Sequence, residues 1–284
     1  MPIKTILAHI DTEAHAEALT KTAIAVAKSF SAQLIGLHVV PDAFVSSMVP
    51  PEVVGELMEA QRKANQATAK RVAEIFDKTV AGSGVGFEWR LVEARIESAA
   101  SIVMRIGRSA DLVVLGQTDK TINLIDGIAA TEEIMLGIGR PVLIVPRTAA
   151  LTSVGSNVLL AWNGRREAAR ATFDALPFLQ KAESVRIFAA GQATGSLWGS
   201  LADDTAPTAD LEEALARHGV RSKIVNATAT GAEVADKLLA DAKGHACDLI
   251  VMGGYGHWRV REIVFGGATH SVLEQTTIPV LMSH

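Results

Sequence analysis

The chain has 284 residues, 49% of them hydrophobic and 20% charged, which is enough apolar material for one or two well-formed cores. Its formal net charge is −4, so composition gives no argument for nucleic-acid binding. Cys247 is the single cysteine, which excludes an intrachain disulfide. We expect it to be a small buried side chain rather than a reactive thiol.

The sequence shows neither a membrane segment nor a secretion leader. No apolar run reaches the length of a membrane helix. At the N-terminus, Ile6 and Leu7 run directly into His9 and Asp11, without the basic and apolar stretches of a signal peptide. We therefore expect a soluble, cytoplasmic protein that binds neither membranes nor nucleic acid.

Strand and helix patterns alternate along the first half of the chain. The predicted strands are residues 4–10, 33–40, 87–92, 111–115 and 141–145. The predicted helices are residues 13–30, 52–80, 97–107 and 131–136. The helix at 52–80 follows Pro50 and Pro51. A groove for a partner is one interpretation of this segment, but we expect most of it to be an ordinary helix that covers the sheet.

The second half repeats this pattern. Its predicted strands are residues 157–161, 184–189, 221–226, 248–252 and 280–282, and its predicted helices are residues 167–180, 209–218, 232–242 and 269–275. The segment from Ala110 to Gly116 matches the segment from Cys247 to Gly253 almost residue for residue. The repeat indicates two domains, residues 1–147 and 157–284.

Continuous apolar strands that alternate with helices are typical of parallel sheets covered on both faces. The sequence therefore predicts an α/β fold with two doubly wound, open, parallel five-stranded sheets in tandem. Right-handed crossovers require the strand order to reverse once, and ligands bind beyond the strand ends at that reversal. If the loops after strands one and four share this crevice, the strand order in each half is 3-2-1-4-5.

The most informative motif follows the fourth strand of the second half. Gly253 ends an apolar run, Gly256 follows three residues later, and Gly266 and Gly267 precede the next helix. Glycine permits sharp turns and close backbone approach to a ligand. Free N–H groups at a helix start form an anion cradle. This segment is therefore a candidate phosphate site.

The spacing fits neither the dinucleotide fingerprint nor the P-loop. It resembles the Gly-x2-Gly-x9-Gly-[Ser/Thr] signature of the universal stress protein family, whose nucleotide-binding members use this segment to hold the phosphates and ribose of ATP. The resemblance extends over both halves and implies a tandem member of the family, with a role in stress response or signalling. It implies ATP or ADP binding in the C-terminal half, and Mg²⁺ as a companion ion is left open.

Two positions depart from the family pattern. Gly267 stands where the family has Ser or Thr, and Asn163 stands where it usually has an aspartate that helps to hold the nucleotide. The basic surroundings, including Arg165 and Arg166, suit an anion. The site residues implied in this half are Asn163, Gly253, Gly256, His257, Arg259, Gly266, Gly267, Ala268 and Thr269.

The first half has a degenerate version of the motif. Asp119 stands where the second half has Gly256, and Gly127 lies eight positions after Asp119, whereas Gly266 lies ten positions after Gly256. More negative charge comes from Asp11, Glu13 and Asp126. We expect that this half has lost a triphosphate site.

The remaining chemistry-bearing residues give no further site. His9 and His38 lie on predicted strands and are expected to be core or strand-end residues. The other histidines lack the spacing of a zinc site, and no Gly-x-Ser-x-Gly elbow is present, so no catalytic or metal-binding residue is predicted. Three functions stay open: a nucleotide-binding stress or signalling module, a stress protein that works through partners or another small ligand, and a slow ATPase. For the last, no residue resembles a positioned general base.

The fifth strands carry a prediction about assembly. Domains of the universal stress protein family commonly dimerise through these strands, and residues 142–145 and 280–282 would be apolar sheet edges. We expect the two strands to pair with each other within one chain, as an intrachain pseudo-dimer. A further homodimer is left open.

Overall fold

A computed structural model describes residues 2–44, 49–95, 97–118, 130–147, 151, 153–191, 208–228, 233–254 and 267–284. The described residues form two compact units. Residues 3–140 lie in one of them, and residues 141–147 and 153–284 lie in the other. No helix in the described part of the chain is both long and apolar enough to cross a membrane.

The first unit contains a parallel sheet. Its strands are β1 (Thr5–His9), β2 (Gln33–Val40), β3 (Phe87–Glu93) and β4 (Leu112–Gly116), and its helices are α1 (Glu13–Phe30), α2 (Pro51–Val80), α3 (Ala99–Gly107) and α4 (Ala130–Gly137). The order β3-β2-β1-β4 agrees with the predicted 3-2-1-4. Leu7 lies between Ile35 and Val113 and is fully buried, as expected for a central strand.

The second unit begins with β5 (Val142–Val145). Its other strands are β6 (Asn157–Trp162), β7 (Ser184–Gly191), β8 (Ser222–Thr228), β9 (Leu249–Gly253) and β10 (Val280–Ser283), and its helices are α5 (Arg166–Asp174), α6 (Leu176–Leu179), α7 (Thr208–Arg217), α8 (Glu233–Gly244) and α9 (Gly267–Gln275). The parallel order β8-β7-β6-β9-β10 confirms the predicted 3-2-1-4-5.

The predicted pairing of the two fifth strands is also confirmed. β10 runs antiparallel to β5, with Val280 opposite Ile144 and Met282 opposite Val142. These residues are almost completely buried. The pairing removes the two apolar edges that would otherwise offer templates for aggregation.

An aspartate at the same position of each repeat fixes the first strand to the fourth. Asp111 Oδ2 accepts hydrogen bonds from the backbone N–H groups of Lys4 and Thr5, at 2.8 and 3.0 Å. Asp248 accepts from the two corresponding amides at the start of β6, at 3.0 and 2.7 Å. The repeated aspartates therefore have a structural role at the amino ends of the strands, opposite the crevice.

The single helix predicted at residues 167–180 is wrong. The structure has two helices instead, α5 and α6, which meet at Ala175. Pro177 lies in the first turn of α6. Proline has no N–H to donate and its ring clashes with the preceding turn, so a continuous helix would be interrupted here.

The prediction that most of residues 52–80 covers the sheet is also wrong. The buried residues of α2 are Ala69, Val72, Phe76 and Val80, all in its C-terminal part. Val53 and Leu57 near its start are 40% and 46% exposed. The buried side chains of this 30-residue helix are therefore confined to residues 69–80, and further toward its start Gln61 and Asn65 make hydrogen bonds to Phe44 and Pro41.

Candidate functional site

The strand order of the second unit reverses between β6 and β9. These two strands are direct parallel neighbours, with Val158 opposite Leu249 and Leu160 opposite Val251. The chain continues from β6 to β7 and β8 on one side, and from β9 to β10 on the other. Ligands of open α/β sheets bind beyond the carboxyl ends of the strands at this kind of reversal.

The loop after β6 contributes Asn163 to this edge. Its side-chain Oδ1 accepts a hydrogen bond from the Arg165 N–H at 3.1 Å, a local turn that leads into α5. Gly164 between them has φ +71°, a conformation that favours glycine. The side chains of Asn163, Arg165 and Arg166 are exposed, so the loop presents an amide and two cationic groups.

The strand β9 contributes Gly253, and the structure gives this glycine a packing role. A Cβ on Gly253 would lie 2.5 Å from the Ala168 nitrogen and 2.5 Å from the Glu167 carbonyl carbon. The equivalent residue of the first unit, Gly116, would bring a Cβ to 2.6 Å from His15 Nδ1. The backbone of α5 therefore requires glycine at Gly253 whether or not a ligand binds, whereas the nearest neighbours of Gly116 are side-chain atoms of α1.

Glu167 is a buried carboxylate at this edge, with its side chain 6% exposed. Arg166 Nε lies 2.5 Å from Glu167 Oε1. Burial acts to raise the pKa of Glu167, but hydrogen bonds from Arg166 and the backbone, together with the charges of Arg166 and His284, lower it below the usual value. Glu167 is thus an ionised carboxylate that is paired with Arg166.

His284 and Glu167 were not predicted from the sequence. The His284 Nδ1 lies 3.0 Å from the carbonyl oxygen of Gly254, which directly follows β9. Arg166 and Glu167 are adjacent in the sequence and oppositely charged, and this could have indicated their ion pair. Nothing local in the sequence indicates that His284 returns to the end of β9.

The far end of the motif lies at the start of α9. The helix begins at Gly267, followed by Ala268, which is half-buried, and Thr269, which is buried. N–H groups in a first helical turn have no acceptor within the helix and carry its positive dipole end. The predicted site residues Gly256, His257, Arg259 and Gly266 lie outside the described residues.

The first unit differs at the corresponding edge. Gly116 is buried, and its carbonyl oxygen accepts a hydrogen bond from the Thr131 hydroxyl at 3.3 Å. Asp11 is exposed, whereas the Glu13 carboxylate pairs with Arg71 Nε at 2.6 Å, so part of the predicted negative charge is compensated. Residues 119–129, which include Asp119, Asp126 and Gly127, lie outside the described residues.

Two histidines of this unit lie where strand histidines were expected, with His38 in the interior and His9 half-buried at the end of β1. His38 is buried, with Nδ1 2.6 Å from the Ile10 carbonyl oxygen. Burial lowers the pKa of His9 to about 4, while Asp11 acts to raise it and His38 to lower it. Within the described ranges, no three His, Cys, Asp or Glu side chains are grouped as a metal site requires.

The repeated unit and its strand order define a tandem open α/β protein with a strand reversal in each unit. The sequence profile of the universal stress protein family matches residues 2–146 and again residues 153–284. The chain therefore belongs to the universal stress protein family, as a tandem member.

Individual relatives are distant. Universal stress protein Slr1230 of Synechocystis sp. (strain ATCC 27184 / PCC 6803 / Kazusa) is 24% identical over 241 residues, which cover 80% of this chain and 75% of the relative. A universal stress protein from Archaeoglobus fulgidus DSM 4304 has a TM-score of 0.71 at 15% identity, over 98% of this chain and 95% of that one. A functionally unknown protein from Pseudomonas aeruginosa PAO1 has a TM-score of 0.57 at 14% identity, covering 99% and 92%. At these identities the structural likeness shows the fold.

Proposed function

We propose that this protein is a stress-response or signalling module that binds one adenine nucleotide, ATP or ADP, in its C-terminal half. The observation that carries the proposal is the reversal between β6 and β9. It brings the loop at Asn163 and the turn that begins at Gly253 to the same edge of one sheet. A near-complete Gly-x2-Gly-x9-Gly motif begins at that edge, with Gly253 at the end of β9.

The described residues offer suitable contacts for a nucleotide. The exposed Arg165 supplies positive charge for phosphate groups, whereas the charge of Arg166 is partly compensated by Glu167. The amide of Asn163 can hydrogen-bond a ribose or base edge without adding negative charge. Gly267 and Ala268 would direct their N–H groups to the same anion, and the helix dipole adds roughly 0.3–1 kcal/mol there. Mg²⁺ would accompany the phosphates as a ligand-borne ion.

The crevice supports binding more than hydrolysis. Catalysis of ATP hydrolysis needs a group that orients or deprotonates the attacking water. In the described part of this edge, the buried carboxylate is Glu167, and Arg166 already engages it at 2.5 Å. Its lowered pKa makes it a weak base. We therefore propose nucleotide retention, with slow or no turnover.

The test is a titration of the wild-type protein with ATP and ADP, with and without Mg²⁺, beside Gly256→Val. The added side chain should lower affinity tenfold or more, about 1.4 kcal/mol, because it prevents close approach of the backbone to phosphate. Gly55→Val is the matched control, since nothing lies within 4 Å of a Cβ there. It should bind like the wild type, and thermal melts should show that each variant is folded.

Absence of binding at millimolar ATP would contradict the proposal. The glycine segment would then serve only the strand-to-helix connection, as Gly253 already does. The family member would act through protein partners or a different small ligand.

A further inference from the structure

β3 is the edge strand of the first unit. In the described part of the chain its only strand partner is β2. Phe87 and Leu91 on β3 are large apolar side chains that are 47% and 53% exposed. On β8, the edge strand of the second unit, none of the described side chains is an exposed large hydrophobic one. Exposed apolar residues on an edge strand are a template for pairing with another strand.

The hydrogen-bond pattern shows which groups of β3 point outward. The Leu34 N–H donates to the Gly86 carbonyl at 2.9 Å, and the Ala94 N–H donates to Val40 at 2.9 Å. In a parallel pair, alternate residues direct both backbone groups to the same neighbour. Even-numbered residues of β3 therefore bond β2, and Trp89 and Leu91 direct their N–H and C=O groups away from it.

The residues of β3 are self-complementary about Trp89. If two copies pair antiparallel with Trp89 opposite Trp89, Phe87 lies opposite Leu91 and Glu88 lies opposite Arg90. Each of these combinations occurs twice across the two-fold axis. Trp89 and the Phe87–Leu91 pairs are then at hydrogen-bonded positions, which uses the outward backbone groups. Glu88 and Arg90 take the non-hydrogen-bonded positions, where facing side chains are closest.

Charge selects this register over its neighbours. If one strand slides along the other so that odd-numbered residues still face odd-numbered residues, the nearest alternative registers are centred on residue 88 or on residue 90. The first would place Glu88 against Glu88, and the second would place Arg90 against Arg90. Like charges directly opposite are destabilising in antiparallel pairs. Only the register centred on Trp89 pairs opposite charges.

The apolar face of β3 packs against helix α2. The Phe76 ring of α2 lies 4.8 Å from Trp89 and 6.0 Å from Phe87, centroid to centroid. Phe76 itself is fully buried. The face that a partner strand would extend is therefore part of a packed aromatic cluster, and little side-chain order has to be gained on association.

We propose that two copies of this chain form an isologous dimer by antiparallel pairing of their β3 strands, centred on Trp89. The partner is a second copy because one strand supplies both members of each complementary pair. In the single chain, Arg90 pairs with Glu88 of its own strand at 2.6 Å. In the dimer, this pair joins its counterpart in a four-charge cluster. The cluster stays near solvent, so association weakens as salt rises.

The test is the mass of the full chain in solution, measured by sedimentation and light scattering over a wide dilution series. The wild type should show a concentration-dependent monomer–dimer equilibrium. Arg90→Glu places glutamates opposite each other twice and should raise the dimer dissociation constant at least about tenfold. The double variant Glu88→Arg/Arg90→Glu restores opposite charges and should restore the dimer.

Lys223→Glu is the matched control, because it makes the same charge change at an exposed position of the edge strand β8. It should leave the equilibrium unchanged. Leu91→Ser tests the same surface without a charge change and should also favour the monomer. A wild type that stays monomeric at all concentrations would overturn the proposal and leave this edge to a strand of a different protein. A dimer that is insensitive to Arg90→Glu, or not restored by the double variant, would overturn it as well.

Discussion

Gly253 lies so close to the backbone of Ala168 that a Cβ at this position would come within 2.5 Å of its nitrogen. The neighbouring atoms belong to the backbone of α5 and cannot rotate away. The first glycine of the signature thus holds the helix after β6 against the end of β9. The crevice beyond these strands depends on this contact for its shape.

Gly253→Ala should therefore lower the free energy of unfolding by about 1–3 kcal/mol, the usual cost of overpacking. Denaturant and thermal unfolding of the full chain would measure the change. Gly244→Ala is the control, since it has open space at the end of α8 and should be neutral or slightly stabilising. A Gly253→Ala protein as stable as the wild type would show that α5 can move away.

The repeated aspartates give a prediction about stability. Asp248→Ala leaves two backbone amides at the start of β6 without their acceptor, and should cost about 2 kcal/mol. Asp111→Ala should have a similar effect on the first unit, because Asp111 makes the same two bonds to β1. Asp236→Ala on the exposed side of α8 should change stability by less than about 1 kcal/mol. Equal stability of all three variants would contradict the structural role.

His9 makes stability depend on pH. Burial holds its pKa at about 4 in the folded protein, below the usual value of about 6.5. As pH falls, the unfolded chain takes up the proton first. The contribution of neutral His9 to the free energy of unfolding is therefore complete above pH ~6.5. It is lost as the pH falls from about 6.5 to about 4.

Comparison with His9→Asn isolates this effect from the other acidic groups, including Asp11 nearby. The stability of the wild type relative to the variant should fall by on the order of 2 kcal/mol between pH 7 and pH 4. Denaturant titrations at several pH values would measure it. A constant difference across this range would mean that His9 titrates like an exposed histidine.

Cys247 should react slowly in the native protein. Burial raises the pKa of its thiol, Asp241 and Asp248 raise it further, and Arg186 acts against them. Both the thiolate fraction and access are therefore low. A chromogenic disulfide reagent should modify native protein at least about tenfold more slowly than denatured protein. Equal rates would show that the start of β9 opens readily.

The strand order of the second unit was predictable on the assumption that its glycine turn and polar loop share one crevice, because the strands before them must then be neighbours. The interruption at Pro177 follows from proline chemistry, although helical periodicity runs through it. The exposure of α2 could not be predicted, because Val53 and Leu57 have the spacing of a buried stripe. Periodicity identifies an apolar face, but it does not indicate what covers that face.

The sequence predicted which sheet edge carries the candidate site, but not the contacts that the described residues make there. Sequence spacing located Gly253 but assigned it to phosphate, whereas its closest neighbours are backbone atoms of α5. Glu167 and His284 reach the same edge through tertiary packing that no local pattern encodes. A glycine motif therefore predicts close approach of the backbone to other atoms. It does not indicate whether those atoms belong to a ligand or to the protein itself.

The most direct test of the central proposal is the number of adenine nucleotides bound per chain, measured by isothermal titration calorimetry. We expect one nucleotide per wild-type chain. We also expect one for Asp119→Gly, because the first half keeps its shorter glycine spacing. Two tight sites in the wild type, or no heat of binding at millimolar ATP, would contradict nucleotide binding by the C-terminal half alone.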